Sequence, residues 1–396
     1  MGKKKTWVLG CFIAALVISS LVVGCGGGAT TPTTPTTPTT PTTPTTPTTP
    51  TTPSGPPAKP EVIVIASHGT GKTTFLVTAG IAAKQEKTTG IPWRLLPREQ
   101  GLVRLADTRS GLADWITESE AASYTVMNGL EEFNDPDWGP QDVRLVWAGG
   151  LYVSGTAVHK DSPIGQGTTD PLEIGRQMVG TSVCWAEPIS AALHVLWAGQ
   201  YAYWGVDYAG HTDDLSYFVV TSGTHRKFIA NDTQSWGGSP TSGLAYSAAA
   251  GPLGLRWLNY DPEETEAWAR MREYLPFLRP YKLMPGQAPE VPPEGVWVPS
   301  YGYTFAAYSD LENNKAYWTT AGIDQSYEDF KNVHPMSQYY TRESALDTTN
   351  WFIPWHEGSV QYWKDQGVWT AEHQKVQDEK LVEIKERIAT WKPTPK

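Results

Sequence analysis

Thr-Thr-Pro triplets repeat from Thr30 to Pro53. They divide the chain into a part that cannot build a core and a part that must. Proline fixes φ, threonine is stiff at χ1, and residues 26–60 carry almost no apolar side chains. At ~3.1 Å per residue such an array reaches on the order of 70 Å. It reads as a tether, and Ser/Thr with Pro is also the composition of O-glycosylated stalks. The folded body is left to residues 61–396. That is more chain than one core sustains, so two domains or one bilobal unit are expected.

Ahead of the array, Lys3, Lys4 and Lys5 precede an apolar run from Trp7 to Val23. A charged start, an apolar core and a small residue before a cut make a secretory signal over residues 1–24. Its end, Val22-Val23-Gly24-Cys25, resembles the lipobox of bacterial lipoproteins. The resemblance implies cleavage before Cys25, lipid on its sulfur, and a tether over residues 25–60. The alternative is an uncleaved N-terminal anchor, for which the run is a little short. Either way the body is expected outside the cytoplasm and attached to the membrane.

The formal charge of -10 argues against nucleic acid or an anionic membrane surface as the main partner. Only Cys184 falls in the body, and the eight histidines are scattered, so neither a disulfide framework nor a metal-ligand spacing is present. No cofactor and no metal are expected. The eighteen tryptophans read mainly as core and lobe-interface filling. Trp147 is among them, with an aromatic floor near a crossover as its alternative role.

Along the body, Glu61–Ala66 reads as a buried strand and Ser67–Thr73 as a glycine-containing loop. Thr74–Lys84 reads as a helix and Ile91–Leu96 as a second strand. A helix over Leu102–Asp107, a strand starting near residues 111–115, and strands over Val143–Gly149 and Tyr152–His159 follow. The pattern then restarts with a strand over Met178–Trp185, a loop, and a helix over Ala191–Gly199. Tyr217–Val220, a helix over Thr224–Ala230, Leu244–Ser247 as a further strand, and Leu255–Tyr260 come next. Glu263–Tyr274 reads as a helix, and Tyr281–Pro299 as Pro- and Gly-rich loop. Glu312–Trp318 and Tyr327–Val333 read as helical. Thr370–Trp391 reads as a long polar helix, docking through Val376, Leu381, Ile384 and Ile388. Strands alternating with helices in two runs predict two α/β lobes facing a cleft, with ligands outside the carboxyl ends of the strands. Lobe one takes about residues 61–155 plus parts of 286–396, and lobe two about 156–285.

Ala66-Ser67-His68-Gly69-Thr70-Gly71-Lys72-Thr73 follows a strand and opens a helix, and apart from Ala66 it fits Walker A spacing. An exported body has no ATP supply, and no strand clearly ends in an Asp to hold magnesium, so an NTPase is the least favoured reading. The same loop suits another anion. A helix N-terminus exposes free N–H groups and partial positive charge, Gly69 and Gly71 let the backbone come close, and Lys72 adds a full charge.

Val62–Ala83 with this loop, Leu102–Trp115, and the run Phe352–Trp363 containing His356, Gly358 and Tyr362 occur in an order and spacing that resembles the TAXI family. These are the TRAP-associated extracytoplasmic solute receptors. The family loop usually runs Gly-Gly-Thr-Gly-Gly-Thr; here His68 and Lys72 replace two glycines. The resemblance implies a type II periplasmic-binding-protein fold. It also implies capture of a small organic acid or amino acid, and delivery to a TRAP permease driven by an ion gradient.

Candidate ligand-binding residues are Ser67, His68, Gly69, Thr70, Gly71, Lys72 and Thr73, holding an anion by backbone N–H groups, hydroxyls and an ammonium. Arg98 follows the second strand and is a candidate carboxylate clamp. From lobe two come Trp185, Glu187 and Ser190 around a strand-to-helix loop, with Tyr246 and Ser247 after a later strand. The chain offers no nucleophile with its base, no carboxylate pair and no metal cluster, so an enzyme is not expected. A sensory or structural surface lipoprotein is the alternative function.

Overall fold

In the computed structural model the described residues are 55–186, 190–208, 210, 214–219 and 223–394. The expected signal, Cys25, most of the tether and Glu187 lie outside them.

The first half of lobe one alternates strand and helix. It comprises β1 (Ile63–His68), α1 (Thr73–Thr89), β2 (Trp93–Arg98), α2 (Gly101–Arg109), β3 (Trp115–Ser119) and α3 (Glu120–Asn128). The long strand β4 (Val143–Val153) then leads out. Lobe two contains β5 (Gly155–Val158), α4 (Pro171–Met178), β6 (Ser182–Trp185), α5 (Ala191–Tyr203) and β7 (Ser216–Val219). It continues with α6 (Thr224–Ile229), β8 (Ser235–Gly238), α7 (Gly243–Ala249), β9 (Arg256–Trp257) and α8 (Thr265–Tyr274). The chain returns through β10 (Arg279–Leu283) and β11 (Val296–Tyr308). It finishes on lobe one with α9 (Asn313–Gln325), α10 (Tyr327–Phe330), α11 (Arg342–Leu346), α12 (Glu357–Asp365) and α13 (Ala371–Thr390).

The principal sheet runs β10-β11-β3-β1-β2, with β4 on β11 as well. β1 pairs parallel with β2 and β3, whereas β11 is antiparallel to β3, β4 and β10. Two chain segments therefore lie side by side between the lobes. Ser154, just past β4, donates its N–H to the Pro299 carbonyl at 3.0 Å. Lobe two holds an antiparallel β8-β5-β9 sheet and the parallel pair β6-β7, and Gln234 bridges them by a 3.0 Å bond to the Ser182 carbonyl. Each lobe buries its own core. One is built around Ile63, Ile65, Trp115, Trp147 and Phe305, the other around Val158, Trp197, Tyr201, Tyr208 and Trp257. Two α/β lobes joined by crossover strands, with an antiparallel return strand inserted beside β3, form the two-lobed type II periplasmic-binding-protein arrangement. The lobe-two core extends as far as Tyr301 on β11.

Several local expectations change. Leu244–Ser247 is helical, not a strand: Ser242 caps α7 by accepting the Ala245 N–H at 3.3 Å, and the preceding strand is β8. Met178 closes α4, which Asp170 caps with Pro171 in the first turn, so the strand begins only at Ser182. The stretch read as loop over residues 281–299 holds β10 and the start of β11. Pro57 and Lys59 already dock on lobe one. The Pro57 carbonyl accepts from Trp318 Nε1 at 2.9 Å, and Lys59 Nζ donates to the Thr89 carbonyl at 2.6 Å.

Candidate functional site

A cavity of about 380 Å³ lies between the lobes, lined from lobe one, from lobe two and from the crossover strands. The carboxyl end of β1 places His68 and the following loop at its mouth. Gly71 is left-handed there, with φ of 86°, a conformation glycine adopts without Cβ strain. α1 then opens with no side-chain cap and no acidic residue in its first turn. Thr73 and Thr74 stand in that turn, both buried; the Thr73 hydroxyl has no hydrogen-bond partner among the described residues, while the Thr74 hydroxyl faces the Tyr303 hydroxyl. A buried polar atom without a partner costs about 1–3 kcal/mol, so the Thr73 hydroxyl at the cavity wall is placed to take a hydrogen bond from water or from a ligand.

Lys72 is not free. Its Nζ lies 3.1 Å from Glu99 Oε2. The Glu99 carboxylate fills the space a Cβ on residue 69 would take, so a larger residue there would push Glu99 off Lys72. Deeper in, Arg104 Nη2 and Nε donate to Glu118 Oε1 at 2.7 and 3.0 Å, with both side chains buried. Arg104 Nη1 also reaches the carbonyls of Arg98 and Glu99 at 3.3 and 3.4 Å, which fixes the turn that carries Glu99. Burial pushes the Glu118 carboxyl up, against the pull of Arg104. His68 Nδ1 meets Thr117 Oγ1 at 3.2 Å and the Tyr303 hydroxyl at 3.1 Å. Burial, with Arg104 and Lys72 nearby, holds its imidazole well below the ordinary histidine range, so it is neutral.

Lobe two contributes the first turns of α5 and the starts of α6 and α7. Trp197 lies over Gly237 with its indole N–H buried and unpartnered. Trp236 Nε1 donates to Thr224 Oγ1 at 3.0 Å. Between the lobes Tyr152, Tyr301 and Tyr303 form an aromatic floor, with Tyr152 5.2 Å from Tyr301 and 6.1 Å from Tyr303 by ring centroids. Gly243 and Gly71 face each other above it: a Cβ built on Gly243 would stand 3.8 Å from the Gly71 carbonyl. They are also joined beside it. Glu132 Oε2 accepts the Ala191 N–H at 2.9 Å, and Glu131 lies 3.3 Å from His194 Nδ1.

Of the residues singled out from sequence, His68, Thr70, Gly71, Lys72, Thr73 and Ser190 line this cavity. Gly69 lies under Glu99, and Ser67 is fully buried with its hydroxyl on the His68 carbonyl. Arg98 turns away and binds Asp107 at 2.6 Å. Trp185 stacks on Tyr208 inside lobe two. Tyr246 and Ser247 lie on the outer turns of α7, Tyr246 half-exposed and Ser247 bonded to the Gly243 carbonyl. Trp147 is wholly buried in the lobe-one core against Trp363. Sequence reasoning missed Glu99, Arg104, Glu118, the three tyrosines and Trp197. It also passed over Gly238-Ser239-Pro240-Thr241-Ser242-Gly243, whose small and hydroxyl residues match the composition of the lobe-one loop and could have marked the facing wall.

Among the described residues no group of His, Cys, Asp or Glu is arranged to hold a metal ion. Glu118 is the penultimate residue of β3, the strand beside β1, where a nucleotide site would need a magnesium carboxylate, but it is engaged by Arg104.

No family model matches the sequence, and no curated protein matches it. Solved structures do resemble it. One described as a periplasmic transporter shares 12% identity over 84% of this chain and 98% of its own, with a TM-score of 0.45. The periplasmic aliphatic sulphonate-binding protein SsuA from Escherichia coli shares 13% identity over 84% and 95%, with a TM-score of 0.42. A binding protein component of an ABC phosphonate transporter from Pseudomonas aeruginosa shares 12% over 83% and 98%, with a TM-score of 0.43. At such identities nothing about ligand carries over. Among the described residues no helix is long and apolar enough to cross a membrane.

Proposed function

We propose that this chain is a solute receptor that closes its two lobes on a small organic acid or amino acid. The observation that carries the reading is the interlobe cavity itself: about 380 Å³, with the buried, unpartnered Thr73 hydroxyl on one wall and the Trp197 N–H on the other. Pockets of this size and mixed lining hold small ligands by an apolar surface and a few placed polar groups. The tyrosine floor takes the carbon skeleton, and the α1 N-terminus takes the anionic group. In the finer reading the receptor is of the TAXI type, exported, lipidated at Cys25, tethered by the Thr-Pro array and paired with a TRAP-type permease. The ordered sequence resemblance supports it.

A thermal-shift screen with organic acids and amino acids, followed by calorimetry, tests the receptor reading. One ligand class should raise the melting temperature by mass action, with about 2.7 kcal/mol gained at a hundredfold excess over Kd. A flat response across the panel rejects it.

A further inference from the structure

Among the described residues the cavity is lined by three cations and two carboxylates, and their pairing is uneven. Lys72 is taken by Glu99 and Arg104 by Glu118. Glu132, near Arg104, caps the α5 N-terminus from outside the cavity. Arg226, at the start of α6, has no carboxylate partner among the described residues and curls back over Gly223 toward the cavity. His68 is neutral, and burial likewise pulls His225 down. Among the described residues one full positive charge is left, alongside the α1 N-terminus.

Resting on the receptor reading, we propose that Glu99 sets the charge of the solute: by neutralising Lys72 on the glycine loop, it leaves a cavity matched to a monoanion and unfavourable to a dianion. The geometry marks Gly69, Lys72 and Glu99 as one unit. A Cβ at residue 69 would collide with the Glu99 carboxylate, and the Arg104 bonds to the Arg98 and Glu99 carbonyls hold that turn in place. The pair is not needed for folding. Glu99 is 57% exposed and Lys72 31%, and a pair so open to water contributes little to stability. Where a bound solute displaces water from the cavity side of the pair, its effect on a second negative group grows, because lower local dielectric strengthens charge interactions.

The test uses matched acids of similar size, butanoate against succinate and benzoate against phthalate, titrated calorimetrically. The proteins are the wild type, Glu99→Gln, and Glu99→Gln combined with Lys72→Met. The wild type should favour the monoanion of each pair by about tenfold. Glu99→Gln frees Lys72 and should move the ratio about tenfold toward the dianion, and the double variant should restore the wild-type ratio. The proposal falls if Glu99→Gln binds an acid with an unchanged ratio, if the wild type favours dianions, or if the double variant keeps the single variant's preference. In each of those cases the receptor reading stands. If no acid of either set binds any of the three proteins, this proposal falls; the receptor reading falls with it only if the wider acid and amino-acid panel is also flat.

Discussion

Thr73 is the residue at which the cavity shows most directly what it lacks. Its side chain is 2% exposed, it occupies the first turn of α1, and its hydroxyl has no partner. Valine has the same shape without the polar atom. Thr73→Val should therefore leave the unliganded protein as stable as before or up to about 1 kcal/mol more stable, since an unsatisfied group is removed. The same change should weaken solute binding by about tenfold, the worth of one hydrogen bond to a charged group. Urea melts without ligand and calorimetry with it read the two effects separately. A clear loss of stability without ligand would show that the hydroxyl is already bonded within the protein. Thr73 was legible in sequence because a strand, two glycines and a helix start announce a helix N-terminus. Glu99 and Glu118 were not, because nothing local marks them: their roles come from Lys72 and Arg104, which only the fold brings to them.

At the scale of elements, α5 is capped by the other lobe. Ser190 offers no side-chain cap, and the Ala191 N–H goes instead to Glu132 on the short 3-10 turn Glu131–Phe133. Burial pushes the Glu132 carboxyl up to about 7; the Ala191 N–H and Arg104 oppose this, while Glu118 and Glu131 add to it. The folded value is above the ordinary one of 4.5. The group's contribution is then full below about 4.5 and is lost as pH rises through about 7. Glu120, which binds the Gly302 N–H at 2.7 Å and is also pushed up to about 7, adds a term of the same sign. Subtracting a variant isolates Glu132. Glu132→Gln keeps an acceptor for Ala191 without charge, so its melting temperature should exceed the wild type's at pH 8, and the gap should close by pH 5. A gap that does not change with pH would show that Glu132 is not held in its raised state. The elements hardest to read were those whose signal the whole sheet overrides. β11 carries Pro299 in a run that resembles loop, yet it is the strand against which β3, β4 and β10 all pair. A proline is tolerated where its missing N–H is not needed.

Over the whole molecule, the body from Pro53 on is one compact unit with two hydrophobic cores, joined by crossover strands and by bonds such as Ala191 to Glu132. The bilobal plan was legible because the strand–helix alternation restarts; where one lobe's core hands over to the other on β11 was not. The C-terminal helix belongs wholly to lobe one. Ile384 enters that core, and Gln377 acts as a strand would, accepting the Trp355 N–H and donating to its carbonyl, both at 2.8 Å. Beyond the helix, Trp391 lies against Gly129 and Gly139, and Thr394 exchanges two hydrogen bonds with Asn134. Gln377→Leu fills the same space but leaves a buried N–H and a buried C=O on Trp355 without partners, at a cost of about 2–4 kcal/mol. That cost falls on one lobe, so urea unfolding followed by fluorescence should split into two steps, with lobe one leaving first. A solute gripped by both lobes binds only when both are folded. Saturating it should bring the two steps back together, and a split that persists under saturating solute would place the ligand on one lobe alone.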